Sequence, residues 1–169
     1  LIYYSDKLVF HGGIITGLLG AAGVSHKHYH CDSPGYLGRL HSIQQLSAVS
    51  LTMGIVKRSV FSDIQGFHDG VDTGFFGEAD FCLRLRKQGW RTIYNPSVRA
   101  VYRGSSFTYI HSDNRSEARQ KFIEDHQTTL KNDPFYNPNL SLQNEQFHGV
   151  RNFPVHVQMP ELKGKKPSV

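Results

Sequence analysis

Apolar and polar positions divide the chain into short blocks with glycine-rich breaks between them. Leu1–Tyr4 and Lys7–Phe10 read as two strands about a Ser5-Asp6 turn. Gly12, Gly13, Gly17, Gly20 and Gly23 follow among small residues, a stretch that reads as loop with a short strand at Gly13–Thr16. Ser25 to Leu40 is a long polar loop, and loops of that length in a compact domain are usually functional or mobile. The block Gln45–Lys57 turns apolar (Ala48, Val49, Leu51, Met53, Ile55, Val56) and suits a buried strand pair. Arg58–Ile64 resembles a short helix stopped by Gly66, and residues 67–77 form a second glycine-rich, acidic loop.

The pattern predicts its strongest helix over Glu78–Gln88. Acidic residues stand at its start, Phe81, Cys82 and Leu85 on its apolar face, basic residues in its last turn, and Gly89 at its stop. Trp90–Tyr94 and Val98–Tyr102 read as strands separated by the turn Asn95-Pro96. A second helix is expected from about Arg115 to Leu130, with Asn114 and Glu117 at N-cap and N3 spacing and an apolar stripe of Ala118, Phe122 and Leu130. After Asn132 the chain reads as an irregular extension, so the expected division is 1–131 and 132–169.

Composition narrows the classes. The 169 residues are 38% hydrophobic, 12% aromatic and 20% charged, which is globular and excludes disorder throughout. No apolar run reaches the roughly 20 residues of a membrane-spanning helix. The Gly-broken run Ile14–Val24 is too short, and it lacks the basic flank of a signal peptide. Cys31 and Cys82 make neither a disulfide scaffold nor a four-cysteine zinc site, so a reducing, cytoplasmic location is expected. The formal charge of +5 suits anionic ligands or a lipid surface. It is too small and dispersed to argue for nucleic acid.

Three groups of residues could carry chemistry. Glu78 and Asp80 follow a Gly-Phe-Phe-Gly stretch, with Asp69 and Asp72 just upstream. A carboxylate placed at a loop-to-helix junction can act as a general base, while the plain alternative is stabilisation of the helix dipole. His26, His28 and His30 alternate, which would put three imidazoles on one side of an extended segment beside Cys31. Zinc is one reading of that set; solvated or phosphate-facing histidines are the favoured one. His11, before Gly12-Gly13, could orient a ligand, although a packed histidine is the simpler reading. Ser105, Ser106 and Thr108 near His111 lack the nucleophile elbow of a serine hydrolase.

The segment FFGEADFCLRLRKQGWRTIYNPSVRAVYR, residues 75–103, resembles the hallmark of family 2 inverting glycosyltransferases. The likeness extends upstream through HGGIITGL (11–18), SPGYLGRL (33–40) and VSLTMGIVKRSVFSDIQGF (49–67), and downstream to DPFYNPNLSL (133–142). The order and spacing of the series carry it, not any one motif. The resemblance implies an α/β fold: the C-terminal half of a GT-A nucleotide-sugar-binding sandwich, a mixed sheet with flanking helices. It implies Glu78 as the base that deprotonates an acceptor hydroxyl, where most relatives carry Asp, with Asp80 as the second acid. The substrate-binding candidates are His11, Gly12, Gly13, Asp69, Asp72, Arg84, Trp90 and Arg103.

The expected substrates are a nucleotide-diphosphate sugar, deoxysugars such as rhamnose included, and a glycan or lipid-linked acceptor. A Mn or Mg ion is expected for the full-length enzyme and is not expected to be held by this chain alone. The sequence has no Asp-x-Asp to hold such an ion, and Tyr102 stands where a histidine ligand is usual, with Arg103 next. The expected partners are therefore an N-terminal half or a second chain, with self-association through an exposed sheet edge as an alternative, and a peripheral contact at the inner membrane face. A non-catalytic remnant that binds carbohydrate or protein is the alternative function.

Overall fold

The structure, a computed structural model, describes residues 1–68, 75–103 and 115–151. Among the described residues there are seven short strands: β1 (Ile2–Tyr4), β2 (Val9–His11), β3 (Ile14–Thr16), β4 (Ala22–Val24), β5 (Gln44–Leu46), β6 (Thr92–Tyr94) and β7 (Ala100–Tyr102). Three α-helices accompany them: α1 (Arg58–Asp63), α2 (Phe75–Lys87) and α3 (Arg115–Leu130). The fold is mixed α/β.

The strands pair in three small sheets. β1 lies between β2, antiparallel to it, and β7, parallel to it. β3 pairs with β4, and β5 with β6, both antiparallel. Successive strands β6 and β7 therefore do not pair with each other. The parallel β1–β7 pair joins residues about a hundred positions apart, Ile2 opposite Ala100. A bridge between Ile14 and Ala48, with Ile14 N–H donating to the Ala48 carbonyl at 2.9 Å, fastens β3 to the chain after β5.

β3 shows why its neighbourhood is apolar. Successive strand residues point to opposite faces. Ile14 packs on one side with Ala48, Ala79, Cys82, Leu83 and Phe122, where α2 meets α3. Ile15 packs on the other with Leu18, Tyr136 and Phe147. A strand covered on both faces loses the polar–apolar alternation of a half-buried one. A third cluster, including Leu1, Val9, Cys31, Leu40 and Tyr94, fills the space beside β1 and β2.

Both ends of α2 repay comparison with the sequence. The helix includes Phe75, so Glu78 is its fourth residue rather than its first. Its far end is as expected: Gly89 has φ +86°, and Trp90 N–H returns to the Leu85 carbonyl at 3.1 Å. α3 occupies the expected span, but its stripe includes a buried His126, at which the backbone leaves helical geometry (φ −126°, ψ 17°).

Two expectations are corrected. The block 45–57 is not a buried strand pair: β5 ends at Leu46, a 3-10 turn spans Leu51–Met53, and Ile55 is fully exposed at 103%. β4 forms inside the glycine-rich stretch read as loop, because its residues are small enough to lie buried against Leu18 and Glu145.

The segment 132–151 has no helix or extended strand, but it is held firmly. Asp133 is buried and accepts from Thr16 N–H at 2.8 Å, Thr16 Oγ1 at 2.9 Å, Ser47 Oγ at 2.9 Å and Phe135 N–H at 2.8 Å. Glu145 Oε1 accepts from Val24 N–H at 2.9 Å, and the Glu145 carbonyl accepts from His26 N–H at 3.0 Å. Tyr136, Leu140, Leu142 and Phe147 close the β3–β4 side. Among the described residues no helix is long and apolar enough to cross a membrane.

Candidate functional site

Glu78 is buried in the first turns of α2, only 6% exposed. Ser50 approaches it from the segment after β5, its Oγ 3.2 Å from Glu78 Oε1. The same Oγ lies 2.8 Å from Thr52 Oγ1 and accepts from Thr52 N–H at 3.2 Å, so the turn that Ser50 caps also fixes its hydroxyl. Ser50 lines a groove of about 450 Å³ whose walls include Leu1, Val49, Met53, Ile55, Trp90 and Ile93. The carboxylate thus stands one hydroxyl behind the wall of a largely apolar groove.

Asp80, two residues on, has a different setting. It is 2% exposed, and each of its oxygens has a partner. His126 Nε2 lies 2.8 Å from Oδ1, and Arg84 Nε lies 2.8 Å from Oδ2. His68 Nδ1 stands further off, 3.8 Å from Oδ2. Burial opposes the charge, but the hydrogen bonds from His126 and Arg84 outweigh it and hold the carboxyl below its ordinary value. An ionised carboxylate accepts and does not donate, so His126 carries its proton on Nε2. Its Nδ1 is buried without a hydrogen-bond partner. Asp80 is therefore a clamp joining α2 to α3.

Arg84 completes the clamp. Its NH1 donates to the Ile64 carbonyl at 2.8 Å and its NH2 to the Gly66 carbonyl at 2.6 Å. The guanidinium holds the carbonyls at the end of α1, where Arg84 also lines a second, shallow pocket with His68 and Gln88. Gly12 and Gly13 are also explained by packing. A Cβ on Gly12 would meet Leu40 Cδ2 at 2.7 Å and the Ser25 carbonyl at 2.9 Å, and Gly13 takes φ +111° against Leu46.

His11 ends β2 and is 3% exposed. Gly13 N–H donates to its Nδ1 at 3.1 Å, so a neutral ring carries its proton on Nε2. Burial pushes its pKa down to about 3, which keeps it neutral. Nε2 has no partner, and the residue lines the same groove as Ser50. Trp90 stands on the rim, exposed at 45%. Tyr102 stacks on Phe10 at 4.3 Å and 7°, an aromatic packing contact. Arg103 follows at the exposed end of β7. Asp69, Asp72, Asn114, Ser105, Ser106, Thr108 and His111 lie outside the described residues.

The alternating histidines do not form the expected row. Residues 26 and 28 take φ +58° and +65°, so the segment turns instead of extending. His26 is fully buried, stacked on Phe147 at 4.3 Å. Its Nδ1 contacts Ser25 Oγ and its Nε2 accepts from Tyr36 N–H at 3.0 Å, and burial pushes its pKa down to about 3. His28 and His30 are exposed, away from it in burial and role. Instead, ligating atoms of His30, Cys31 and Asp32 lie within 4.8 Å of one another.

Ser50, His126 and Asp133 were not singled out in the sequence. A serine in an apolar block carries no signal. His126 does fall on the α3 stripe eight residues after Ala118 and four after Phe122, the spacing of one helix face. Asp133 begins the DPFYNPNLSL motif, which identifies the stretch without revealing its partners.

An uncharacterized protein, y4gI of Sinorhizobium fredii (strain NBRC 101917 / NGR234), is 31% identical to this chain over 153 aligned residues. The match covers 86% of this chain and 17% of the relative's length. No family model matches the sequence, and no solved structure matches it.

Proposed function

We propose that this chain is the acceptor-side part of an inverting glycosyltransferase of the GT-A type, with Glu78 as its general base. The supporting observation is the place of Glu78: its Oε1 lies 3.2 Å from the hydroxyl of Ser50, a residue that lines the groove, and Asp80 on the same helix is held by His126 and Arg84. A clamped acid next to a base at a cleft wall is a division of labour suited to base catalysis.

In the proposed step, an acceptor hydroxyl in the groove gives its proton to Ser50 Oγ, whose own proton passes to Glu78, as the acceptor oxygen bonds to the anomeric carbon of a nucleotide-diphosphate sugar. The bond from that carbon to the diphosphate oxygen breaks on the opposite face, and the nucleoside diphosphate leaves with the electron pair. Ser50 positions the carboxylate. His11 and Trp90 line the groove where an apolar or lipid-linked acceptor, or a neighbouring segment, would lie. The acceptor would be a glycan or lipid-linked glycan at the cytoplasmic membrane face.

A divalent cation does not fit the described residues near Glu78. Both Asp80 oxygens already accept a hydrogen bond from a basic side chain, and Tyr102, at the position where a histidine ligand is usual, is stacked on Phe10 instead. No step is therefore assigned to a metal, and the donor diphosphate would be held by other parts of a longer polypeptide or a second chain. The relative, in which the matching stretch makes up 17% of the length, is of that kind.

The test is transfer from a panel of uridine- and thymidine-diphosphate sugars by the longest polypeptide that contains this chain. Glu78→Gln should abolish transfer and leave donor binding nearly intact. Transfer that survives the substitution would overturn the base assignment. Donor-sugar binding without any transfer, unchanged by Glu78→Gln, would favour a non-catalytic binding module.

A further inference from the structure

We propose that His30, Cys31 and Asp32 form a binding site for one zinc-class divalent ion, on the face of the molecule beside β2 and away from the α2 carboxylates. The site does not depend on the glycosyltransferase reading. It is built where the chain turns: His30 bridges to Leu8, Cys31 N–H donates to the Lys7 carbonyl at 2.7 Å, and Ser33 N–H donates to the His30 carbonyl at 2.9 Å. The turn brings three consecutive side chains to one place, which an extended strand would not do.

The donor set is mixed and suits a borderline ion. An imidazole nitrogen, a thiolate and a carboxylate oxygen are the three ligand types zinc accepts, and three protein ligands leave a fourth position for water. The convergence is within 4.8 Å for all three atoms, and His30 Nδ1 stands 3.7 Å from Asp32 Oδ2. Two ligand atoms on one tetrahedral zinc at about 2.1 Å each are about 3.4 Å apart, close to that spacing, and the ion would replace the long 3.3 Å hydrogen bond that His30 Nδ1 accepts from Asp32 N–H.

Asp32 is prepared for the role. Arg99 NH1 donates to its Oδ1 at 3.0 Å, which orients the carboxylate and leaves Oδ2 toward His30. His41 stands at the same place, its Nε2 3.3 Å from the Cys31 carbonyl oxygen and 3.5 Å from Arg99 NH2. Cys31 is buried at 3% with Leu1, Val9 and Leu40 on its inner side, so its thiol meets the site from below while His30 and Asp32 face solvent. On binding, the Cys31 S–H proton passes to solvent and the thiolate bonds the ion. Arg99 and Lys7 oppose an added cation, so moderate affinity is expected rather than that of a closed four-ligand structural site.

Cobalt(II) titration of the untagged, reduced chain tests this directly. The expected result is a thiolate-to-cobalt charge-transfer band that saturates at one ion per chain and is bleached by equimolar zinc. Cys31→Ser should abolish the band, and Cys82→Ser should leave it unchanged. His30→Gln and Asp32→Asn alter exposed side chains, so they test the site even if Cys31→Ser fails to fold; each should weaken cobalt binding severalfold. No charge-transfer band in the folded, reduced chain would overturn the proposal. So would a band that persists in Cys31→Ser, or one untouched by both His30→Gln and Asp32→Asn.

Discussion

His126 Nε2 sits 2.8 Å from Asp80 Oδ1, and this contact ties α3 to the first turns of α2. The two residues are 46 positions apart and both nearly fully buried. With Arg84 on the other oxygen, one carboxylate organises three segments: α2, α3 and the turn after α1. Removing one member of such a group leaves buried polar partners without counterparts. Asp80→Ala should destabilise the chain by about 3–5 kcal/mol, because it strands Arg84 and His126 together. His126→Phe retains an aromatic ring beside Phe122 and should cost less, about 1–3 kcal/mol. Urea unfolding of both variants checks the order, and equal stability of Asp80→Ala and the parent would refute the clamp.

Acid should unfold the protein earlier than its carboxylates alone would. His11 and His26 titrate at about 3 in the fold against 6.5 when unfolded. As pH falls below 6.5 the unfolded chain takes up these protons first, so the stability they contribute is complete above pH 6.5 and drains away toward pH 3. The slope is about 1.4 kcal/mol per pH unit for each imidazole. Asp80 adds its own loss only lower, as pH drops below 3.8 through its depressed folded value. Denaturant midpoints measured at several pH values between about 7 and about 4.5 should decline steadily, and His11→Leu should flatten the decline. Constant midpoints across that range would show that the two rings are not buried as neutral species.

The groove near Ser50 should govern association. Ile55 is fully exposed and Ile93 is 48% exposed, alongside Met53, Val98 and Trp90. Grouped apolar side chains of this kind mark surfaces that another surface covers. Ile55→Glu combined with Ile93→Glu should reduce dye binding and concentration-dependent self-association, with stability changed by no more than about 0.5 kcal/mol at each exposed position. Sedimentation across a range of concentrations would measure it. Association that is unaffected by both charges would move the contact surface elsewhere.

What could be read from the sequence was local. The end of α2 at Gly89, the span of α3 and the short strands depend on residues a few positions apart: a glycine that takes φ +86°, a basic last turn, a period of apolar positions. Glu78 and Asp80 were recognisable as a pair for the same reason. The tertiary structure alone gave them different surroundings, because Asp80 is clamped by His126, and Ser50 reaches Glu78 from 28 residues away. It also turned the row of histidines into a buried His26 and an exposed His30. Positive φ at residues 26 and 28 breaks the alternation that the spacing implied. The grip of Asp133 on Thr16, 117 positions earlier, had no local trace. Side-chain hydrogen bonds of that range depend on which backbones the fold brings together, and a one-dimensional pattern of polar and apolar residues does not encode it.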